Sequence, residues 1–161
     1  MAFESRYEQL IALLDRNGAT YRLIDHAPEG RTELVSALRG HDPSKAAKCM
    51  IMIAKLGRKE TKFVLGVIPG DRRLDLAKIK VLLGASFLSF PSPEVAERLG
   101  GSAVGSILPF PLDSGLHLIV DPSLQDPEEI FFNAARLDRS IALKTADYFA
   151  IAKPQIQTIS E

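Results

Sequence analysis

Ala46-Ala47-Lys48-Cys49-Met50-Ile51-Met52-Ile53-Ala54 and Phe63-Val64-Leu65-Gly66-Val67-Ile68-Pro69-Gly70 decide the fold. Both runs are apolar on both alternating faces, which suits inner strands covered on two sides better than a half-wet sheet. Their content of Ile, Val and Phe favours strand over buried helix. The polar stretch over residues 55–60 joins them as a hairpin, and Pro69-Gly70-Asp71 turns the chain away.

Outward from this hairpin the other elements follow. Tyr7, Leu10, Ile11 and Leu14 recur at helical spacing until Asn17-Gly18, and residues 20–24 read as a short strand. A second helix begins near Thr32, read as its N-cap, and ends at Gly40. Asp75 caps a helix through Ile79, Leu82 and Leu83 that stops at Gly84. Residues 86–90 form a strand, and Ser92-Pro93-Glu94 opens a helix closed by Gly100-Gly101. Residues 101–111 are too rich in Gly and Pro for regular structure and too apolar for a solvated linker. Strands are expected over 116–120, 130–133 and 140–143, then a helix capped by Thr145 with Tyr148, Phe149 and Ile151 inward. Strands and helices mix without strict alternation. The expected class is α+β, a single domain over residues 1–161 with a mixed, strongly curved, barrel-like sheet surrounded by helices.

Composition narrows the function. The 161 residues are 46% hydrophobic and 25% charged, the balance of an ordinary globular domain. Twenty Lys+Arg against 20 Asp+Glu give zero net charge, which argues against a protein held to DNA or RNA by bulk charge while allowing a local basic patch. A single cysteine forbids an intrachain disulfide framework and favours the cytoplasm. The charged start at residues 1–6 lacks an apolar leader, and no apolar run approaches the ~18 residues of a membrane span. The phosphate-loop, dinucleotide and nucleophile-elbow signatures are missing, and His26, His41 and His117 are scattered, so neither a metal nor another cofactor is expected.

Lys48 is the most informative residue. By strand alternation it shares a face with Met50 and Met52, opposite Cys49, Ile51 and Ile53. An ammonium emerging at the mouth of a covered sheet, partly desolvated, would hold an anionic or carbonyl oxygen strongly. The plainer alternative, a packed stem with its head in water, is the one the residue alone favours. Gly105-Ser106-Ile107-Leu108-Pro109 could turn main-chain N–H groups toward one oxygen, or simply be a tight connection. His26 reads better as a structural hydrogen-bonding residue than as a base. Cys49 reads as a small buried hydrophobe, a cysteine-dependent acyl transferase being the minor alternative. Asn133 orients a ligand or satisfies a turn. Arg58-Lys59-Lys62 and Arg72-Arg73 are solvated faces that could also meet a phosphate backbone.

Several segments, in order, resemble a known family. They are Tyr21-Arg22-Leu23-Ile24-Asp25-His26-Ala27-Pro28, the Lys48 and Gly66 strands quoted above, Arg73-Leu74-Asp75-Leu76-Ala77-Lys78-Ile79, Gly105-Ser106-Ile107-Leu108-Pro109-Phe110 and Ile130-Phe131-Phe132-Asn133-Ala134. Together they look like the YbaK-like aminoacyl-tRNA deacylases, relatives of the editing insertion of bacterial prolyl-tRNA synthetase. The resemblance spans roughly residues 20–150. It implies a barrel-like mixed sheet and metal-free hydrolysis of the ester that joins a wrong amino acid to the tRNA 3′ end. Lys48 matches the family's functional lysine, and residues 105–109 match its Gly-x-x-x-Pro loop.

On this reading Lys48, Gly105 and Ser106 are catalytic. Substrate contacts are expected from His26, Thr32, Met50, Ile107, Pro109, Phe110 and Asn133. The partners are the acceptor end of aminoacyl-tRNA and an aminoacyl-tRNA synthetase, with no DNA and no membrane. Cys49 stands where the family often has a small polar residue, and Ala134-Ala135 replaces a frequent glycine. These departures bear on amino-acid choice and keep a non-catalytic binding module as the alternative.

Overall fold

The computed structural model describes residues 5–112 and 115–161. Residues 1–4 of the charged start lie outside it. The chain runs α1 (Arg6–Arg16), β1 (Tyr21–Asp25), α2 (Thr32–Arg39), β2 (Ala47–Leu56), β3 (Glu60–Pro69), α3 (Leu76–Leu83), β4 (Phe87–Ser89), α4 (Pro93–Gly100), β5 (Leu116–Val120), β6 (Glu129–Asn133), β7 (Arg139–Lys144), α5 (Thr145–Ala152) and β8 (Gln155–Ile156). Short 3-10 turns precede β2 and β6, at Pro43–Lys45 and Pro122–Gln125.

Local chemistry sets most boundaries. The side chains of Ser5, Asp75 and Ser92 accept N–H groups of the first turns of α1, α3 and α4, and Pro93 fills the first helical position of α4. Gly40, Gly84 and Gly101 end α2, α3 and α4 in the left-handed conformation. Two expected caps are corrected. Thr32 and Thr145 are the first helical residues, and the positions before them, Arg31 and Lys144, cap without a side-chain bond. Thr145 faces inward, where its Oγ1 is buried without a partner. The strands β2 and β3 also reach further than their apolar runs, pairing from Ala47–Pro69 to Leu56–Glu60, so the turn shrinks to residues 57–59.

The fold is mixed α+β, with its strands in two sheets. One has the order β1-β7-β6, all antiparallel. The other has the order β4-β2-β3-β5-β8, antiparallel through β3 and parallel from β3 to β8. A single parallel bridge, Ala46 to Phe131, links the start of β2 with β6.

The expectation of a two-faced hairpin holds. On one face Ile51, Leu65 and Val67 pack with Leu10 and Leu14 of α1, Ile130 and Phe132 of β6, Ile141 and Leu143 of β7, and Tyr148 of α5. On the other, Met52, Ala54, Val64 and Ile68 pack with Ile79 of α3, Ile119 of β5 and Ile159. The three-stranded sheet thus covers one side, and α3 with the C-terminal segment covers the other.

Nothing in the sequence reading anticipated that C-terminal segment. Gln155–Ile156 pairs with β5, and Ile159 and Ser160 are buried. Asp121, also buried, draws the segment in: its Oδ2 accepts the N–H of Ile159 (3.2 Å), the N–H of Ser160 (3.1 Å) and the Ser160 hydroxyl (2.7 Å), while Oδ1 takes the Ser123 N–H (3.1 Å). Burial alone raises the pKa of this carboxyl. The hydrogen bonds from Ser123 and Ser160 outweigh it and hold the group below its ordinary value.

Asp121→Ala is expected to lower unfolding free energy by about 3 kcal/mol, since it strands buried N–H donors, as read by denaturant titration. A depressed folded pKa gives stability that is complete above the unfolded carboxyl value of about 3.9 and fades as pH falls through the lower folded value. Below about pH 4 the wild-type protein should therefore lose stability more steeply than the variant.

Candidate functional site

The two ends of the sequence argument meet in one cavity. It holds about 320 Å³ and lies between the start of β2, the first face of α2 and the loop after α4. Lys48 and Gly105, far apart in sequence, both line it, with Thr32, Met50, Ile107 and Asn133. The remaining expected residues lie elsewhere. Ser106 is buried, and its N–H (2.8 Å) and hydroxyl (2.7 Å) both donate to the carbonyl of Ala103. That corrects the expectation of a Ser106 amide facing an oxyanion, because the donor is consumed inside its own turn. Pro109 and Phe110 anchor the loop from behind. The Pro109 carbonyl accepts the buried Tyr148 hydroxyl (2.7 Å), and Phe110 packs edge-on against the Tyr148 ring at 5.1 Å.

Lys48 is half-buried on β2, its stem on the Met50 side as alternation requires. Its Nζ donates to the carbonyl of Arg72 (2.6 Å), in the segment just after β3. Burial pushes its pKa below the ordinary lysine value, against the pull of Glu33 and Asp71. Among the described residues the ammonium is thus held at the rim by one neutral acceptor, with no ion pair to a carboxylate.

Gly105 approaches the opposite wall closely. Its φ is +94°, and a Cβ built there would meet the Cα of Gly30 at 2.7 Å and its carbonyl oxygen at 2.9 Å. Only glycine fits both the dihedral and the contact. Asn133 locks the pair, donating through Nδ2 to the carbonyls of Gly105 (2.9 Å) and Glu29 (2.8 Å). Its Oδ1 accepts from Arg39 Nη2 (3.0 Å) and the Ser140 hydroxyl (2.9 Å), so the carboxamide is saturated. His26 lies one step further out, with Nε2 2.6 Å from Ser140 Oγ. It reaches the cavity through Ser140 and Asn133 rather than by contact.

Arg39 was missed in the sequence. It lines the cavity, and its Nε donates to Ser140 (2.7 Å). Burial lowers its pKa to about 10. The signal was present, for Thr32, Val35 and Arg39 fall on one helical face and all three line the cavity. Cys49 also lines it. Burial drives its thiol well above the usual cysteine range, so it is un-ionised at neutral pH, which disfavours a thiolate nucleophile. Among the described residues no cluster of three potential metal ligands occurs, and no helix is long and apolar enough to cross a membrane.

Comparison with known proteins identifies the family. Residues 26–151 match the aminoacyl-tRNA editing domain. The chain is 37% identical over 151 residues to the multifunctional Ser/Thr-tRNA deacylase ProXp-y of Escherichia coli (strain K12), covering 93% of this chain and 90% of that protein. It is 33% identical over 97 residues to the proline–tRNA ligase of Bacillus licheniformis, a match covering 60% of this chain and 16% of the ligase. The solved structure of the hypothetical protein APE2540 superposes with a TM-score of 0.85 at 22% identity, covering 96% of this chain and all of that one. The family match and the near full-length relative lead to one assignment: the chain belongs to the aminoacyl-tRNA editing domain family.

Proposed function

We propose that this protein is a freestanding, trans-acting deacylase that hydrolyses the ester of mischarged tRNA in the cytoplasm, working as a single domain. The observation that carries this reading is the convergence of Lys48 and Gly105 on one cavity in a chain of the editing family. The relative named as a Ser/Thr-tRNA deacylase makes serine and threonine esters the first substrates to try. The resemblance to part of proline–tRNA ligase makes a synthetase a plausible second partner. The bridge from Ala46 to Phe131 supports a fold curved toward a barrel, with the cavity beside that seam.

The chemistry asks little of the protein. An aminoacyl ester is already activated, so water suffices as nucleophile once the carbonyl is polarised and correctly placed. Lys48 exchanges the Arg72 carbonyl for a substrate oxygen. The Gly105 N–H, which has no main-chain acceptor among the described residues, faces the developing oxyanion. Thr32 orients the acyl group, Asn133 acts through the Gly105 loop that it holds in place, and Met50 and Ile107 bound the acyl side chain. Arg72 and Arg73, exposed beside Lys48, meet acceptor-stem phosphates, which lets a chain of zero net charge bind tRNA locally.

A panel of mischarged tRNAs tests the reading. At least one, with serine or threonine first, should lose its amino acid faster than in buffer. Binding without turnover would instead establish the non-catalytic module. Lys48→Ala should lower kcat/KM about 10²-fold, the scale of removing one electrostatic contact to the reacting group. Because the lysine pKa is lowered and the cation is the active form, the wild-type enzymatic rate, corrected for alkaline ester hydrolysis, should decline on a limb lying below the free-lysine value of about 10.4. Gly105→Ala should cost at least about tenfold in kcat, since main chain faces main chain and neither can retreat. Gly30→Ala, whose Cβ would meet nothing nearer than 3.3 Å, should cost much less in the same assay.

A further inference from the structure

A second depression opens directly off the cavity. It holds about 240 Å³ and shares Cys49, Met50, Val104 and Ile107 with the first. Its far side is Phe90, Pro91 and Pro93. These lining side chains are apolar. Phe90 is 49% exposed and Val104 51% exposed, so an aromatic face stands open at the entrance.

The floor of this groove is an unpaired strand edge. β4 pairs with β2 only at Ile53, Ala54 and Lys55. The Lys55 carbonyl accepts the Ser86 N–H (2.8 Å), so Lys55 points its main-chain groups to the β4 side. The Ala46 carbonyl, an odd number of residues away, accepts from Gly70 on the β3 side (3.0 Å). By two-residue alternation Ile51 and Cys49 also direct theirs to the β4 side, beyond the last β4 pair. Among the described residues neither has a main-chain partner there. The Cys49 carbonyl and the Ile51 N–H are therefore an adjacent acceptor and donor at the bottom of an apolar slot.

That combination fits a nucleobase. Its π-face needs an aromatic platform, and adenine offers an amino donor beside a ring-nitrogen acceptor. The ester proposed for the adjoining cavity is carried on the ribose of the tRNA's terminal adenosine, so the base lies one sugar away. Resting on the deacylase reading, we infer that the groove receives the terminal adenine of the substrate. The ring stacks on Phe90 against Pro91 and Val104, and its polar edge pairs with the main chain of Cys49 and Ile51. A small polar amino-acid side chain has no use for so apolar a slot and remains in the first cavity.

Calorimetric titration with adenosine carrying serine in amide linkage at the 3′ position reads binding without requiring turnover. Phe90→Ala should raise Kd roughly tenfold, and Phe90→Trp should restore it, because stacking on any aromatic face is sequence-tolerant. Replacing the adenine of the probe by unsubstituted purine, which lacks the amino donor, should weaken wild-type binding several-fold. An unchanged Kd in Phe90→Ala, with the variant's melting temperature intact, overturns the inference, as does equal binding of the two bases. A Phe90→Ala protein that binds the probe normally but changes preference between serine and a larger amino acid also overturns it, placing the acyl side chain in the groove. Base-dependent binding with no deacylation of any tRNA would sink the deacylase reading and leave the adenine subsite standing.

Discussion

One carboxamide holds the candidate site together. Asn133 ends β6 inside the protein, donates to the main chain on two separate loops, and accepts from a half-buried arginine and a buried serine. Each of those loops lacks regular structure that could fix it alone. The glycine at the turn of one touches the glycine of the other, so neither has a side chain with which to interlock. A saturated polar hub in a region of low dielectric is worth more than its separate bonds, because any missing member leaves a buried group unsatisfied. The cavity is thus a polar construction resting on apolar sheets. β2 supplies Lys48, β6 supplies Asn133, and the hydrophobic contacts behind them set the distance between.

The electrostatics follow the same division. Arg39 and Lys48 both lie on the cavity and both have depressed pKa values from burial. Among the described residues neither is bonded to a carboxylate: Arg39 is engaged by Asn133 and Ser140, Lys48 by a carbonyl. Two positive groups held by neutral acceptors, with Glu33 on the cavity wall drawing on Lys48 without a direct bond to it, give a pocket that favours electron-rich oxygens at the two cationic heads.

How much of this was legible depended on how local each cause was. The two-faced runs of β2 and β3, the caps at Asp75 and Ser92 and the glycine stops are written in adjacent residues, and they read correctly. Lys48 could be placed on its face because strand alternation is a rule of two residues. The division into two sheets was not legible, since it depends on which strands meet across the core. The β8 segment was likewise hidden: its docking depends on Asp121, distant in sequence, and the Gln155-Ile156-Gln157 stretch carries little apolar pattern. Within the site, Gly105 was readable from composition. The loss of the Ser106 amide to Ala103 was not, because a single turn bond decides it. Arg39 was readable in principle from its spacing to Thr32 and Val35, but an arginine near a helix end also has the look of an ordinary dipole partner.

The contact between Gly30 and Gly105 sets a limit on how such a pocket can diverge. Where two bare backbones touch, the aperture is fixed by atomic radii, and no exchange of side chains can widen or narrow it without disrupting the wall itself. Selectivity must then evolve on the facing surface, at Val35, Cys49 and Met50, whose bulk can vary one methylene at a time. A lineage could in this way retarget such a pocket from one amino acid to another while the glycine contact that sets its opening is left untouched.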